Sequence, residues 1–425
     1  MEEAPMPMKR SNAIMLMATA ALCPISSAAT ARQPAKESAP MTLQQCVANE
    51  AMKSGFSGVV SVSRPSGARA YAFGVMGGKG SAKMLPNAQF NLGSASKMWT
   101  AVAVAQLVDA GKVSLDDGIG KHIRGLTPEA AAVTVRQLLT HSGGLGNFFT
   151  PDNLDLFKRA RTLAELKPLI VSERPTFTPG SRSEYSNSGF LLLGLMIEQA
   201  SGKDYGAYLQ DHIFKPAAIT GSGVLPASPK LRALGMTNLP ELDDMPDGPM
   251  MGPPPGAPPG PPPGGPMGPM MPPPGAQPGP PPGGPMGPMM PPPGPLRLSD
   301  EAALVGTSAG GSFSTPSDMQ RFFAALLAGK LTSAKMREML TTPQFELLPA
   351  KGPLPAVSYG MGFVLSNYKG RGSIGHNGGA PGVNVATAAF PKDQVTAVVM
   401  TNRDPLAADL MLRKVEAMLF DGSCR

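Results

Sequence analysis

Residues Phe90–Asp117 read FNLGSASKMWTAVAVAQLVDAGKVSLDD, and the fold turns on how this stretch is read. From Ser96 to Ala110 the pattern is that of a strong helix, and it meets Gly111, a residue suited to the left-handed position just past a helix end. Ser94-Ala95-Ser96-Lys97 opens that helix. Positions three apart share a helix face, so Ser94 and Lys97 lie one turn apart on one side. A serine at a helix N-terminus gains from the positive end of the dipole. A desolvated lysine beside it has a lowered pKa and can take or relay the serine's proton. On its own the S-x-x-K pattern is equally met by a helix-capping serine and a solvated lysine.

Working outward, residues 42–53 have a helical pattern, and Val59–Ser63 and Ala68–Phe73 alternate as strands around the turn Arg64-Pro65-Ser66-Gly67. Residues 115–220 read as helices and loops, including VTVRQLLTH, TLAELKPLIV and FLLLGLMIEQASG. Ser317–Gly329 predicts another helix with a serine cap. Val383–Phe390 and Val395–Thr401 flank Pro391-Lys392-Asp393-Gln394 as a hairpin, and residues 405–420 form a closing amphipathic helix. Strands, then helices, then strands and a helix predict an α+β chain. One sheet, built from residues 42–100 and 296–425, is interrupted by a helical domain over 101–240.

The chain has 425 residues, 42% apolar and 16% charged, enough for a real core. Its net charge of +7 comes from scattered basic residues, which gives nucleic-acid binding no support. Three cysteines exclude a disulfide-dense scaffold and a zinc knuckle. His122, His141, His212 and His376 form no His-Glu-x-x-His pair, so no metal site is expected.

Lys9-Arg10, the apolar run Ala13–Cys23 and the small-residue exit Ala29-Thr30-Ala31 have the form of a secretory signal over residues 1–31. The run is too short to span a bilayer, and no second long apolar run follows. The expectation is an exported protein, periplasmic or secreted, with no membrane span in the mature chain. Cleavage there leaves Cys46 and Cys424, which either pair in an oxidising compartment or stay as two thiols.

Residues 248–295 hold 24 Pro, 13 Gly and 8 Met without a charge, and repeat with a period of 19. Gly is not at every third position, so this is no collagen helix. Proline removes donors and glycine has no side chain to pack, so no core is expected here. The segment reads as a disordered surface insert. A cell-wall or protein contact, or Cu(I) binding by Met270-Met271 and Met289-Met290, are its further readings.

Two more motifs complement Ser94 and Lys97. Tyr185-Ser186-Asn187 precedes an apolar helix; a phenol can act as a base if cations favour the phenolate, and Asn187 can orient Lys97 and a substrate carbonyl. His376-Asn377-Gly378-Gly379 lies on a late strand, where glycine permits close backbone approach and free N–H groups can hold an oxyanion. In this order and spacing the three motifs resemble the serine β-lactamase and penicillin-binding-protein family, in its class C-like branch with esterases and D-amino-acid peptidases. The phrases VTVRQLLTHSGGL, YSNSGFLLLGLMIEQASG, SAGGSFSTPSDMQRF, YGMGF and GHNGGAPGVN fit as well, so the likeness covers about 44–240 and 296–420.

The resemblance implies a β-lactamase/transpeptidase-like fold and acyl-enzyme chemistry without metal or cofactor. Ser94 would be the nucleophile, Lys97 its partner and Tyr185 the proton shuttle. Asn187 would contact a substrate amide, and the N–H groups of Ser94 and Gly379 would form the oxyanion hole. His141 would be structural. Where such β-lactamases carry Lys-Thr-Gly, this chain has His376-Asn377-Gly378, and a histidine is mostly neutral at pH 7. That favours a short-chain ester or a D-amino-acid peptide as substrate over a β-lactam. The resemblance also implies that the insert borders the cleft, and the expectation drawn from this is that it partly covers the entrance and screens large substrates.

Two rivals remain. Gly306-Thr307-Ser308-Ala309-Gly310 has the G-x-S-x-G form of a nucleophile elbow, but lacks a long apolar strand before it and a helix directly after it. The other rival is a non-enzymatic cell-envelope binder that works through the proline-rich insert.

Overall fold

The computed structural model describes residues 41–226, 228, 230–239, 294–299, 306–349 and 356–422. Its strands are β1 (Gly58–Arg64), β2 (Gly67–Phe73), β3 (Phe90–Asn91), β4 (Met236–Thr237), β5 (Arg297–Leu298), β6 (Phe313–Ser314), β7 (Phe345–Leu348), β8 (Val357–Tyr359), β9 (Val364–Tyr368), β10 (Arg371–Ala380), β11 (Val383–Phe390) and β12 (Val395–Thr401). Its helices are α1 (Leu43–Ser54), α2 (Lys97–Asp109), α3 (Pro128–Ala132), α4 (Val135–Leu139), α5 (Leu154–Arg159), α6 (Leu163–Leu166), α7 (Asn187–Ser201), α8 (Tyr205–Leu209), α9 (Pro316–Leu327), α10 (Ala334–Leu340) and α11 (Ala407–Phe420).

Eight strands form one sheet in the order β2-β1-β12-β11-β10-β9-β8-β7, every pair antiparallel. Both chain ends therefore build it: β1 pairs with β12 along its length, Gly58 opposite Thr401. Successive strand side chains point to opposite faces, and β12 uses both. Ala397 and Val399 join Val47 and Ala51 of α1 and Ala408, Met411 and Val415 of α11 in one apolar layer. Val398 and Met400 face a second, larger core that holds α2, α7 and α9. With helices on both faces the central strand β11 is buried throughout. The architecture is the α+β sandwich expected, and the hairpin around residues 391–394 falls where the sequence put it.

Helix α2 is the centre of the larger core. Every residue from Lys97 to Ala105 is buried, with Trp99 set edge-on to Phe214 and Phe322. A helix apolar on all sides is a buried helix. One local expectation is corrected. The helix expected over 317–329 begins at Pro316, and its cap is Thr315, whose side chain accepts from the Asp318 N–H. Proline is pre-organised for the first helical position, so the cap falls to the residue before it.

The two chain ends around residues 240–293 meet in a closed neck. β4 pairs with β5, Gly294 N–H donates to the Asn238 carbonyl, and Arg297 reaches the Leu239 carbonyl. The neck rests on the β10–β11 turn: Asp404 accepts from the N–H groups of Asn238 and Gly382, and Ser299 donates to the Pro381 carbonyl. Residues 1–31, read from the sequence as an export signal, nearly all of the 248–295 insert and Cys424 lie outside the described residues. Cys46 on α1 is disulfide-bonded. No described helix is long and apolar enough to cross a membrane.

Candidate active site

Ser94 lies on a 3-10 turn, Gly93–Ser96, that feeds straight into α2 at Lys97. In such a turn positions i and i+3 eclipse, so the serine and lysine face one another as the sequence spacing required. Lys97 Nζ is 3.3 Å from Ser94 Oγ. Gly93 at φ 50° allows the turn, and its N–H is held by Asn91 Oδ1 at 2.8 Å. Ser94 keeps 7% of its surface.

Lys97 has no exposed surface. Its Nζ donates to Asn187 Oδ1 at 2.7 Å and to the Ala309 carbonyl, and stands 4.6 Å from the centre of the Tyr185 ring. None of these partners is a carboxylate, so burial holds the amine well below its ordinary pKa. Burial that disfavours the charged form of a lysine beside a hydroxyl makes it suited to take the hydroxyl's proton.

Tyr185 and Asn187 come from the N-terminal end of α7, which Ser186 caps by accepting from the Gly189 N–H. The Tyr185 oxygen is buried and makes no complete hydrogen bond in the resting site. Burial pushes its phenol well above the ordinary value, and the Ser94 hydroxyl beside it only partly offsets this. The phenolate entertained from the sequence is therefore disfavoured, and the group rests as a proton donor. Asn187 is fixed at both ends, its Nδ2 donating to Asn147 Oδ1 at 2.8 Å. Glu173 clamps the loop carrying Asn147: it accepts from the Gly146 N–H at 3.0 Å and from Ser188 Oγ at 2.5 Å.

The third motif lies on β10. β9 pairs with β10 only as far as Gly375, so from His376 to Ala380 one side of β10 carries β11 and, among the described residues, the other carries no strand. That open side meets the Ser94 turn. A Cβ on Gly378 would lie 1.9 Å from the Leu92 carbonyl oxygen and 2.9 Å from Ser94 N, and one on Gly93 would lie 2.8 Å from Gly379 N. The two backbones approach more closely than any side chain allows, which brings the Ser94 and Gly379 amides to one place.

His376 and Asn377 diverge, as neighbours on a strand must. His376 is buried, with Nε2 3.2 Å from the Tyr359 hydroxyl and Nδ1 2.5 Å from the Asn377 carbonyl. Burial, reinforced by Lys97, pushes its pKa down to about 3. Asn377 turns its side chain to Asp409 on α11, 3.2 Å away, so only its backbone belongs to the site. His141 is buried at φ 57°, with its ring 4.3 Å from that of Tyr185.

The structure brings together Ser94, Lys97, Tyr185, Asn187, His376, Gly378 and Gly379. Sequence reading missed Asn147, Tyr359 and the Ala309 carbonyl. The pattern around Ser308 does not form an elbow. Its hydroxyl is fully buried and unpartnered in a tight turn, and a Cβ on Gly194 of α7 would lie 2.1 Å from it. A groove of about 800 Å³ runs between His122–Arg124 and the end of α7 at Glu198–Lys203, and none of the motif residues lines it. Among the described residues no group of three His, Cys, Asp or Glu is placed to hold a metal ion.

A family model described as Beta-lactamase matches residues 43–419. Protein flp of Staphylococcus aureus (strain MW2) is 28% identical over 138 residues, which are 32% of this chain and 28% of that protein. The fold is similar to that of a penicillin binding protein from Bacillus halodurans, at TM-score 0.66 and 23% identity, over 88% of this chain and 98% of that one. It is likewise similar to a D-stereospecific amidohydrolase from Streptomyces sp., at TM-score 0.65 and 22% identity, over 90% and 98%.

Proposed function

The chain belongs to the Beta-lactamase family and is a serine hydrolase of that fold, and from this premise we propose that it cleaves a short ester or a D-amino-acid amide through an acyl-enzyme on Ser94. One observation carries the reading: a fully buried Lys97 with no carboxylate partner, 3.3 Å from Ser94 Oγ. Lys97 takes the Ser94 proton as Oγ adds to the carbonyl carbon. The oxyanion is held by the N–H groups of Ser94 and Gly379. The Tyr185 phenol delivers a proton to the leaving oxygen or nitrogen, and is re-protonated through Lys97. Water then enters and splits the acyl bond by the same steps in reverse.

The substrate class rests on His376. A buried neutral imidazole offers no fixed positive charge to a substrate carboxylate, which counts against the alternatives, a β-lactamase or a penicillin-binding DD-peptidase. The likeness in fold to a D-stereospecific amidohydrolase agrees with an amide of a D-amino acid. We also propose export, on residues 9–31, and a surface role for the 248–295 insert, either cell-envelope contact or screening of bulky substrates at the neck.

The test is a fluorophosphonate probe followed by peptide mapping, with turnover of p-nitrophenyl acetate, D-alanine p-nitroanilide and nitrocefin. The expected result is an adduct on Ser94, with the first or second substrate turned over faster than the third. An adduct on Ser308 overturns the assignment, and no adduct with no turnover favours the cell-envelope binder. Deleting 248–295 without changing kcat/KM for small or bulky esters removes the screening role. A mature N-terminus still upstream of residue 31 removes the export reading.

A further inference from the structure

Four hydrogen bonds, three buried and the last partly buried, join the second motif to the third. Ser186 N–H to His141 Nδ1 is 3.1 Å, His141 Nε2 to Tyr359 Oη is 3.1 Å, Tyr359 Oη to His376 Nε2 is 3.2 Å, and His376 Nδ1 to the Asn377 carbonyl is 2.5 Å. The two ends set every proton between them. A backbone N–H can only donate, so His141 Nδ1 is bare and its Nε2 carries the hydrogen. A carbonyl can only accept, so His376 Nδ1 carries the hydrogen and its Nε2 is bare. Tyr359 then accepts from His141 and donates to His376. The chain of bonds runs one way and leaves no ring nitrogen unpaired.

We propose that Tyr359 is a positioning residue of the Ser94 site, the middle link of a one-way brace that holds the Tyr185–Asn187 segment and the His376–Gly379 strand in register. The brace closes only while both imidazoles are neutral. A proton on His141 Nδ1 would face the Ser186 N–H. A proton on His376 Nε2 would leave the Tyr359 hydroxyl with two donors aimed at it and no acceptor for its own hydrogen. Its ends sit one residue from the working groups: Ser186 lies between Tyr185 and Asn187, and Asn377 precedes Gly378-Gly379. The charged and titratable groups around it are Lys97 from α2, Tyr185 ahead of α7, and the two histidines themselves. Asp409 on α11 meets Asn377 from the opposite face of β10. The inference rests on the Ser94 reading for its consequence in catalysis, but not for the protons.

Two experiments test it. In Tyr359→Phe the brace loses its centre, and displacement of the motifs lowers kcat on the order of 10²-fold with KM little changed. The Tyr359 hydroxyl favours neutral His376 by donating to it, so its loss lets His376 take a proton more readily, and the acid limb of kcat/KM moves to higher pH. An unchanged kcat, or a fall in kcat with the acid limb unmoved, overturns the proposal. The second measurement uses the unaltered protein. Ring-nitrogen NMR of its four histidines is expected to show His141 protonated at Nε2 and His376 at Nδ1, neither titrating between about pH 5 and 8. The opposite tautomer at either, or an ordinary titration of His376, overturns it even if Tyr359→Phe does not fold. Failure of the probe to label Ser94 would instead overturn the acyl-enzyme reading and leave the tautomers to stand or fall alone.

Discussion

Ser94 and Ser308 are both buried serines in glycine-bearing segments, and those segments meet at Lys97 Nζ, which touches the Ser94 hydroxyl and the Ala309 carbonyl. Their surroundings differ in every respect that governs reactivity. Ser94 keeps some exposure, an amine at hydrogen-bonding distance and a strand edge to which no described strand pairs. Ser308 has no exposure and, among the described residues, no hydrogen-bond partner, and is closed over by Gly194 of α7. A short serine pattern thus says little about chemistry until the groups around its oxygen are known.

The largest expected effect separates the two serines directly. Ser94→Ala should lower kcat/KM by at least about 10³-fold, whereas Ser308→Ala should leave it within about threefold. Steady-state kinetics on one ester checks both, and equal losses would break the comparison. Next, Gly378→Ala places a Cβ against the Leu92 carbonyl and drives β10 off the Ser94 turn. The expected loss is about 10²–10³-fold in kcat, the size of a missing oxyanion donor, with the fold retained by circular dichroism.

On the Ser308 side the prediction concerns stability. Gly194→Ala should destabilise by about 1–3 kcal/mol through overpacking, read as a lower denaturant midpoint. Adding Ser308→Gly should recover much of the loss, because the two positions share one contact. A last effect, read from pH rather than from packing, sharpens the Ser94 side. His376 keeps its proton off until about pH 3, and His141 is also held well below its ordinary value. The unfolded chain takes protons at both from about pH 6.5 downward. Stability is therefore full above that value and falls as pH drops toward 3, by up to about 1.4 kcal/mol per pH unit for each imidazole. Denaturant midpoints across this range should fall more gently in His376→Gln.

Much of this was legible in the sequence because it is periodic or local. The 391–394 hairpin, α2 and the Ser94–Lys97 pair depend on spacing along one element, and spacing is what a sequence displays. What escaped is what distant segments contribute on meeting. Tyr359 reaches His376 because β8, β9 and β10 lie side by side in the sheet, and the phrase YGMGF that it opens carries the resemblance but not that meeting. Asn147 meets Asn187 across forty positions. Ala309 supplies a carbonyl, which every residue has, so its identity carries no signal. Asn377 misled for the opposite reason: a motif groups neighbours that a strand turns to opposite faces.

The neck formed by β4 and β5 has a practical consequence. The chain leaves and returns at adjacent residues, Met236 facing Leu298 and Thr237 facing Arg297. The closure cost of a flexible loop grows only slowly with its length. The stretch between β4 and β5 can therefore be spliced, lengthened or replaced with a folded cargo without re-threading the sheet, and whatever is installed there starts and ends beside the turn that follows β10. The same hydrolase core could carry different attachments at one fixed port.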